Sequence, residues 1–211
     1  MYIQLSLGFN MLLIGTYHSP FARRVAVALI SRGIPYEHDA LNGYTDPLRA
    51  RSFNPVGKVP VLVLDQGESL IDSAAILDHL NERVGPKSAL VPPSGADRRA
   101  VLRLAATAAA VCERCTASFS EGVRGGDKAL VDSYNLAIRG GLQSLDAASG
   151  AGGLIGGKPL SIATISAIVA FDYVALSLPE LEPARIAPSL ARVASALADD
   201  PAFRDTYPKT A

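Results

Sequence analysis

A serine followed directly by a proline stands at a junction between two apolar segments. The stretch G-T-Y-H-S-P-F-A-R-R-V overlaps the end of the apolar run M-L-L-I-G-T-Y and leads into a run whose apolar residues recur at helical spacing. Pro20 suits the first position of a helix, where its missing N–H costs nothing, so we expect Ser19 at a helix N-terminus. Unpaired N–H groups and the positive end of the helix dipole favour an anion there.

The chemistry open to Ser19 is that of a hydroxyl rather than a thiol. Residues 19–22 contain no cysteine, so disulfide exchange cannot run through this position. A hydroxyl can still donate one hydrogen bond to an anion, and the thiolate of a bound molecule is such an anion. The alternative interpretation is an ordinary N-cap, because serine is common at that position.

The energy that a thiolate needs is within reach of such a junction. A thiol with a pKa of about 8.5 is a few per cent ionised at pH 7, and a pKa about two units lower makes it mostly thiolate. That shift corresponds to roughly 2.7 kcal/mol. One charge-assisted hydrogen bond contributes about 1.5–3 kcal/mol and a helix end about 0.3–1 kcal/mol, so the two together are sufficient.

Two further stretches suggest a small zwitterionic peptide as the ligand. In N-P-V-G-K-V-P-V-L-V, Pro60 opens a strand, where a cis Val59–Pro60 bond is expected and backbone groups remain free for an extended peptide. In E-S-L-I-D-S-A-A-I-L, Asp72 and Ser73 stand at another helix start. There the N–H groups and a hydroxyl can bind a carboxylate, while Asp72 can meet an ammonium. Lys58 can meet a carboxylate at the other end of the peptide.

Two other motifs resemble functional sites but favour structural interpretations. C-E-R-C at 112–115 has metal or redox spacing, but it falls in the middle of a predicted helix on the apolar side, which indicates core packing. G-G-L-I-G-G-K-P ends in Pro159 where a phosphate-binding loop needs Ser or Thr, so we interpret it as a loop between helices. No metal site is predicted.

Composition narrows the class of protein. The 211 residues are 49% hydrophobic, enough for a substantial core, and Lys plus Arg equals Asp plus Glu at 20 each. This balance argues against nucleic acid and against acidic membranes as partners.

Two cysteines indicate a reduced, cytoplasmic protein. No apolar run is long enough for a membrane span. Residues 1–10 make a poor signal peptide and are interpreted as an N-terminal extension.

The hydrophobic periodicities predict two regions of different secondary structure. Residues 11–84 are predicted as β-α-β-α-β-β-α, with a parallel first strand pair and an antiparallel last pair. These pairings predict a mixed four-stranded sheet with helices on both sides. Residues 86–95 form a linker rich in proline and glycine, and the rest of the chain is predicted to be an all-helical bundle.

Four helices are expected in that bundle. The first starts at a capping box formed by Ser94 and Asp97, and its apolar stripe runs on to Phe119. A second carries apolar residues between 130 and 145. A third, from Ser161 to Leu176, is apolar nearly all round and is therefore expected to be central. Pro188 opens the fourth.

In combination, these motifs resemble those of the cytosolic glutathione S-transferases. The resemblance is strongest to the bacterial members that use a serine. S-P-F-A-R-R-V, N-P-V-G-K-V-P and D-S-A-A-I-L match the thioredoxin-like N-terminal domain of that family in order and spacing, and G-G-K-P-L-S-I-A-T-I-S-A matches the start of its central helix. The resemblance covers the chain from Met11 onward. It implies a glutathione-binding domain at 11–85, an all-helical domain at 96–211, and a homodimer.

The resemblance also implies roles for the site residues. Ser19 would contact the sulfur of glutathione, which is the co-substrate, with no metal involved. Val59 would pair its backbone with the cysteinyl part of the peptide, just before a cis Pro60. Asp72 and Ser73 would hold the γ-glutamyl end. Tyr17, His18 and Phe21 flank the serine as further candidate contacts, and either Tyr17 or His18 could supply the sulfur contact instead.

Two residues depart from the family pattern. The central helix carries Ser161-x-x-Thr164 where the family usually has an acidic fourth residue, which weakens the expected cap. Asp72 stands where the family often has Glu, and its side chain is shorter by one methylene group.

The expected reaction is thioether formation, in which the glutathione thiolate attacks a hydrophobic electrophile. We expect that electrophile between the domains, against the long helix near residues 104–115. Isomerisation, dehalogenation or peroxide reduction at the same site are alternatives, as is a non-catalytic protein that keeps the fold for binding a partner. A disulfide reductase is disfavoured because position 19 is not a cysteine.

Overall fold

The computed structural model describes residues 11–150, 152–157 and 160–209. Residues 1–10, for which an extension is predicted, lie outside the described residues, as do Lys158 and Pro159 of the glycine-rich motif.

A mixed four-stranded sheet organises the N-terminal part of the chain, as predicted. Its elements are β1 (Met11–Ile14), α1 (Pro20–Ser31), β2 (Tyr36–Asp39), α2 (Pro47–Phe53), β3 (Val61–Val63), β4 (Ser69–Ile71) and α3 (Ser73–Val84). The strand order is β2-β1-β3-β4, with β1 and β2 parallel and the other neighbours antiparallel. The crossover through α1 permits the parallel pair, and a tight turn forces the antiparallel one.

The two faces of the sheet bury different partners. Met11 and Leu13 of β1 belong to the main core, together with the buried residues of α1 and α3. Ile14 and Val61 belong to a smaller cluster with Leu41 and Ala50, on the side of α2. Because successive side chains of a strand point to opposite faces, this division places helices on both sides of the sheet.

The C-terminal part is helical in the residues described. Its helices are α4 (Gly95–Val123), α5 (Lys128–Ala147), α6 (Ile162–Ser177), α7 (Pro183–Ile186), α8 (Pro188–Leu197) and α9 (Pro201–Arg204). Residues 162–171 of α6 are all buried, which confirms that this helix is central. Within the described ranges no single helix is long and apolar enough to span a membrane; α6 passes that test only together with Pro179–Ile186, at a bend of 107°.

The predicted number of C-terminal helices and two details of them are wrong. Four helices were expected, but six are described, because α7 and α9 have only four residues each, too few to show a helical period. Ser94 precedes α4 but makes no side-chain capping bond, and the chain enters the helix through Gly95 at φ +81°. Phe119 is 47% exposed, because the buried side of α4 continues through Cys115 and Ser118 instead.

The cap of the central helix is completed by the threonine that departs from the family pattern. Thr164 N–H donates to Ser161 Oγ at 3.2 Å, and the two hydroxyl oxygens lie 3.3 Å apart. Thr164 Oγ1 also accepts from the backbone N–H of Gly156 at 3.1 Å. Threonine therefore anchors the preceding loop to the helix start, although it cannot act as the acidic residue of a capping box.

Cys112 and Cys115 are free, buried thiols in the interior, as predicted. Burial raises the pKa of both and that of Cys115 to about 12, so neither is a reactive thiolate at neutral pH. Among the described residues, no three His, Cys, Asp or Glu side chains lie together as a metal-binding group.

Candidate active site

Ser19 is the N-cap of α1, as its sequence position predicts. Its backbone is extended (φ −76°, ψ 117°), and Oγ accepts a 3.4 Å hydrogen bond from the N–H of Ala22. Because the oxygen acts as the acceptor in this bond, the hydroxyl hydrogen is left to donate elsewhere. The first turn of α1 carries no acidic side chain, so no local carboxylate neutralises the positive helix end.

The turn that leads into Ser19 packs closely against the segment before Pro60. Gly15 has φ +141°, and a Cβ built on it would lie 3.0 Å from Cβ of Ala22 and 3.1 Å from Cβ of Val59. Only glycine permits this approach. The Val59–Pro60 bond is cis, as predicted. The serine turn and the cis-proline segment are therefore direct neighbours.

The start of α3 holds the two other predicted residues in different environments. Asp72 is exposed and adopts φ +63°, a conformation that non-glycine residues rarely take, and its Oδ1 caps the helix by accepting from the N–H of Ala74 at 2.8 Å. Ser73 is only 2% exposed. Its hydroxyl faces the interior, where it meets an arginine from α1.

That arginine is Arg24, which the sequence did not single out. Its Nε and Nη2 donate to Ser73 Oγ at 3.1 Å and 2.6 Å. Arg24 is buried and forms no ion pair with a carboxylate in the described parts of the chain. Burial lowers the pKa of Arg24, and its neighbours Cys112, Asp72 and Glu113 oppose that shift. A buried positive charge, with no carboxylate directly paired to it in the described residues, thus lies against the hydroxyl of Ser73.

Tyr17, one of the two alternatives to Ser19, is engaged with strand β2. Its hydroxyl hydrogen-bonds the hydroxyl of Tyr36 at 2.8 Å, and its ring stacks on His38 with the centroids 4.0 Å apart and the planes 3° from parallel. His38 Nε2 lies 2.9 Å from the carbonyl oxygen of Gly15. Burial raises the pKa of Tyr17, while the bond to Tyr36 lowers it. The phenol is therefore protonated at neutral pH and already hydrogen-bonded.

The remaining candidates lie at the margins of this corner. His18 is exposed, with Nδ1 3.3 Å from Oγ1 of Thr16. The ring of Phe21 is half-buried, and the guanidinium carbon of Arg24 lies 5.9 Å from its centre. Lys58 is exposed, and its carbonyl accepts from Asn54 Nδ2 at 2.9 Å.

A small cavity borders the serine turn on the side of the helical bundle. It measures about 10 Å³ and is lined by Tyr17, His18, Pro20, Arg23, Val169, Tyr173, Leu176 and Pro208. Its far wall therefore comes from α6 and the C-terminal segment. Residues 104–115, where the electrophile was expected, contribute nothing to it, because the apolar side of that stretch is buried in the core.

Residues 13–88 match the family model described as the N-terminal domain of glutathione S-transferase. Over nearly its whole length the chain is similar to a glutathione S-transferase from Methylobacillus flagellatus with glutathione bound, at 30% identity and a TM-score of 0.85, covering 95% of this chain and 100% of that one. The chain belongs to the glutathione S-transferase family. Its mixed sheet with flanking helices is the thioredoxin-like fold of that family, followed by a helical C-terminal region.

Two further relatives bear on function. A glutathione S-transferase from Methylobacterium radiotolerans, in complex with glutathione sulfonate, is 27% identical with a TM-score of 0.87, and the match covers 96% of each chain. The maleylacetoacetate isomerase of Pseudomonas aeruginosa is 39% identical over 80 residues, which is 36% of this chain and 37% of that protein. The chain spans about half or less of the length of the curated relatives it matches.

Proposed function

We propose that this glutathione S-transferase family member binds glutathione at the corner formed by Ser19, the cis-Pro60 segment and the start of α3, and joins the glutathione sulfur to an electrophile as a thioether. The observation that carries this proposal is the hydrogen bonding of the Ser19 hydroxyl. Its oxygen already accepts the capping bond from Ala22, so its hydrogen is the group available to a thiolate. Two relatives at 27–30% identity that hold glutathione or its sulfonate support the same ligand.

In this proposal Ser19, rather than Tyr17 or His18, contacts the sulfur. The phenol of Tyr17 is hydrogen-bonded to Tyr36, and His18 is exposed beside Thr16. The hydroxyl of Ser19 and the N-terminus of α1 stabilise the thiolate, and the thiol proton passes to solvent. The thiolate then attacks the electrophile, a C–S bond forms, and the bond to the leaving group breaks.

The γ-glutamyl end of glutathione is assigned to the start of α3. Its α-carboxylate would lie against the start of the helix and the hydroxyl of Ser73, with the guanidinium of Arg24 behind that hydroxyl. The exposed carboxylate of Asp72 would meet the ammonium. The backbone of Val59 would pair with the cysteinyl part, and Lys58 would meet the glycyl carboxylate. The electrophile would lie between the domains, in contact with His18 or Phe21.

The test is a calorimetric titration of the protein with glutathione, followed by product analysis with chlorodinitrobenzene as the electrophile. We expect saturable binding and a chromatographically distinct thioether, with one chloride released for each glutathione consumed. S-methylglutathione, which binds but cannot react, is the control. Absence of binding heat would contradict the proposal and favour a protein that uses the fold only to bind a partner.

Isomerisation is the second candidate, and one observation favours it: the 39% identity to maleylacetoacetate isomerase over 80 residues. Both reactions begin with the same thiolate. They differ in outcome, because an isomerase returns glutathione unchanged whereas a transferase consumes it. The amount of free thiol before and after turnover separates the two.

We further propose that the chain forms a homodimer, divides into domains at 11–85 and 96–211 joined by a linker at 86–95, and works in the cytoplasm. Every described strand lies before α3, and the long α4 begins at Gly95, which supports that division. Large apolar side chains in and beside α2 are exposed, which supports a partner surface. Two buried free thiols suit a reducing compartment.

A further inference from the structure

A second arginine of α1, Arg23, ties the helix that carries Ser19 to the opposite half of the molecule. Its backbone N–H donates to the carbonyl of Ser19 at 2.9 Å, so the two residues stand one turn apart in the same helix. Its guanidinium reaches out of the N-terminal part of the chain. Nη1 donates to Oδ2 of Asp172 on α6 at 2.8 Å.

The C-terminal segment holds the same guanidinium from another side. Nη2 donates to the carbonyl of Phe203 at 3.5 Å, and the guanidinium carbon lies 5.0 Å from the centre of the Tyr207 ring. Arg23 is 2% exposed. One side chain therefore joins the first turn of α1 to α6, to α9 and to the segment that follows α9.

Stability is a poor explanation for this arrangement. A buried ion pair is often no more stabilising than apolar residues of the same volume, because both charges lose their hydration. Moreover, the Nε of Arg23 is buried and finds no hydrogen-bond partner in the described residues, which adds a further desolvation cost. The ion pair provides a directional contact with a fixed geometry, which apolar packing cannot provide.

Such a contact is needed here, because apolar packing at the Ser19 turn is incomplete. The cavity of about 10 Å³ beside the turn is bordered by His18 and Pro20, the immediate neighbours of Ser19, and by Arg23 itself. A gap of this kind leaves the wall atoms without contacts that would hold them in place. The guanidinium spans the same region with directed bonds.

We propose that Arg23 is a positioning residue for Ser19: by fixing the first turn of α1 against Asp172 and the C-terminal segment, it sets where the hydroxyl stands relative to the sulfur of glutathione. This inference rests on the proposed function. It assigns no contact between Arg23 and the substrate. The hydroxyl must be placed within a fraction of an ångström for a strong bond to a thiolate, so a small shift of the helix end weakens that bond.

The experiment separates position from stability with a double variant. Arg23→Met alone leaves the largely buried carboxylate of Asp172 without its partner and is expected to lower the midpoint of denaturant unfolding. Arg23→Met with Asp172→Leu removes both charges and is expected to recover that midpoint. Leu142→Ala, a core change in α5, is the matched control that loses stability without touching α1.

The decisive readout is the pKa of bound glutathione, followed through the ultraviolet absorbance of its thiolate. In the double variant we expect this pKa to rise by about one unit. At a pH below the pKa, the fraction of bound glutathione present as thiolate then falls roughly tenfold. Leu142→Ala keeps the value of the unaltered protein. Arg23→Lys, which retains the charge and is expected to fold in any case, gives a smaller rise.

Each outcome decides one of the two proposals. An unchanged thiol pKa in both the double variant and Arg23→Lys, with glutathione still bound, overturns the positioning role of Arg23 and leaves the proposed function intact. If the unaltered protein does not bind glutathione, or does not lower its pKa, the proposed function fails and the role of Arg23 fails with it.

Discussion

At the scale of single residues, the candidate site includes an arginine that hydrogen-bonds Ser73, the serine proposed to bind the ligand carboxylate. Arg24 donates two hydrogen bonds to Ser73 Oγ, and no carboxylate in the described parts of the chain pairs with it. A buried guanidinium without a counter-ion is costly in the free protein. An anion bound nearby would relieve that cost, so in the proposed binding mode Arg24 contributes part of the binding energy of a carboxylate at Ser73.

Arg24→Met is therefore expected to weaken glutathione binding by roughly tenfold to a hundredfold, the equivalent of one charge-assisted hydrogen bond of about 1.5–3 kcal/mol. Calorimetric dissociation constants measure this, with the exposed Arg192→Met as the control. The loss should shrink for a glutathione analogue whose γ-glutamyl carboxylate is an amide, because the group that Arg24 serves is then absent. Equal losses for the two ligands would contradict the assignment.

At the scale of the elements, the sequence predicted the order of the strands and of the longer helices because the signals are local, whereas the four-residue α7 and α9 were missed. Pro20 after Ser19, the tight turn between β3 and β4, and the apolar circumference of α6 each reflect the chemistry of a short segment. The same locality explains the capping error at Ser94. A serine with an acidic residue three positions on is typical of a capping box, but Gly95 redirects the chain before the bond can form.

The contacts between elements were beyond such reasoning. Arg23 and Asp172 are 149 positions apart, and Arg24 and Ser73 are 49 apart. In the sequence the pair R-R is an ordinary feature of a helix surface, and only the fold shows that both side chains point inward. The stacking of Tyr17 on His38 was equally hidden, since it depends on the parallel register of β1 and β2. The predicted ligand contacts remain a prediction, and Arg23, Arg24 and the stacking of Tyr17 on His38 were missed.

At the scale of the whole molecule, the exposed apolar side chains in and around α2 form a candidate surface for a partner copy of the chain. Tyr44, Leu48 and Val56, in and around α2, are 85%, 77% and 66% exposed. In a two-fold symmetric dimer the same patch is covered on both copies.

We predict that light scattering gives about twice the chain mass of 22.1 kDa, and that Leu48→Glu gives the single-chain mass. Leu154→Glu, an exposed apolar position in a distant loop, should leave the dimer intact. A single-chain mass for the unaltered protein would contradict this prediction.

The central claim is that the chain supplies a hydroxyl and a helix end to a thiolate that it does not itself possess. The most direct test is to titrate the thiolate absorbance of bound glutathione against pH in the unaltered protein and in Ser19→Ala. The unaltered protein should hold the thiol pKa about two units below its free value, and Ser19→Ala should return it by about one to two units, since one charge-assisted hydrogen bond is lost. The same thiol pKa in both proteins, with glutathione bound to each, would contradict the account.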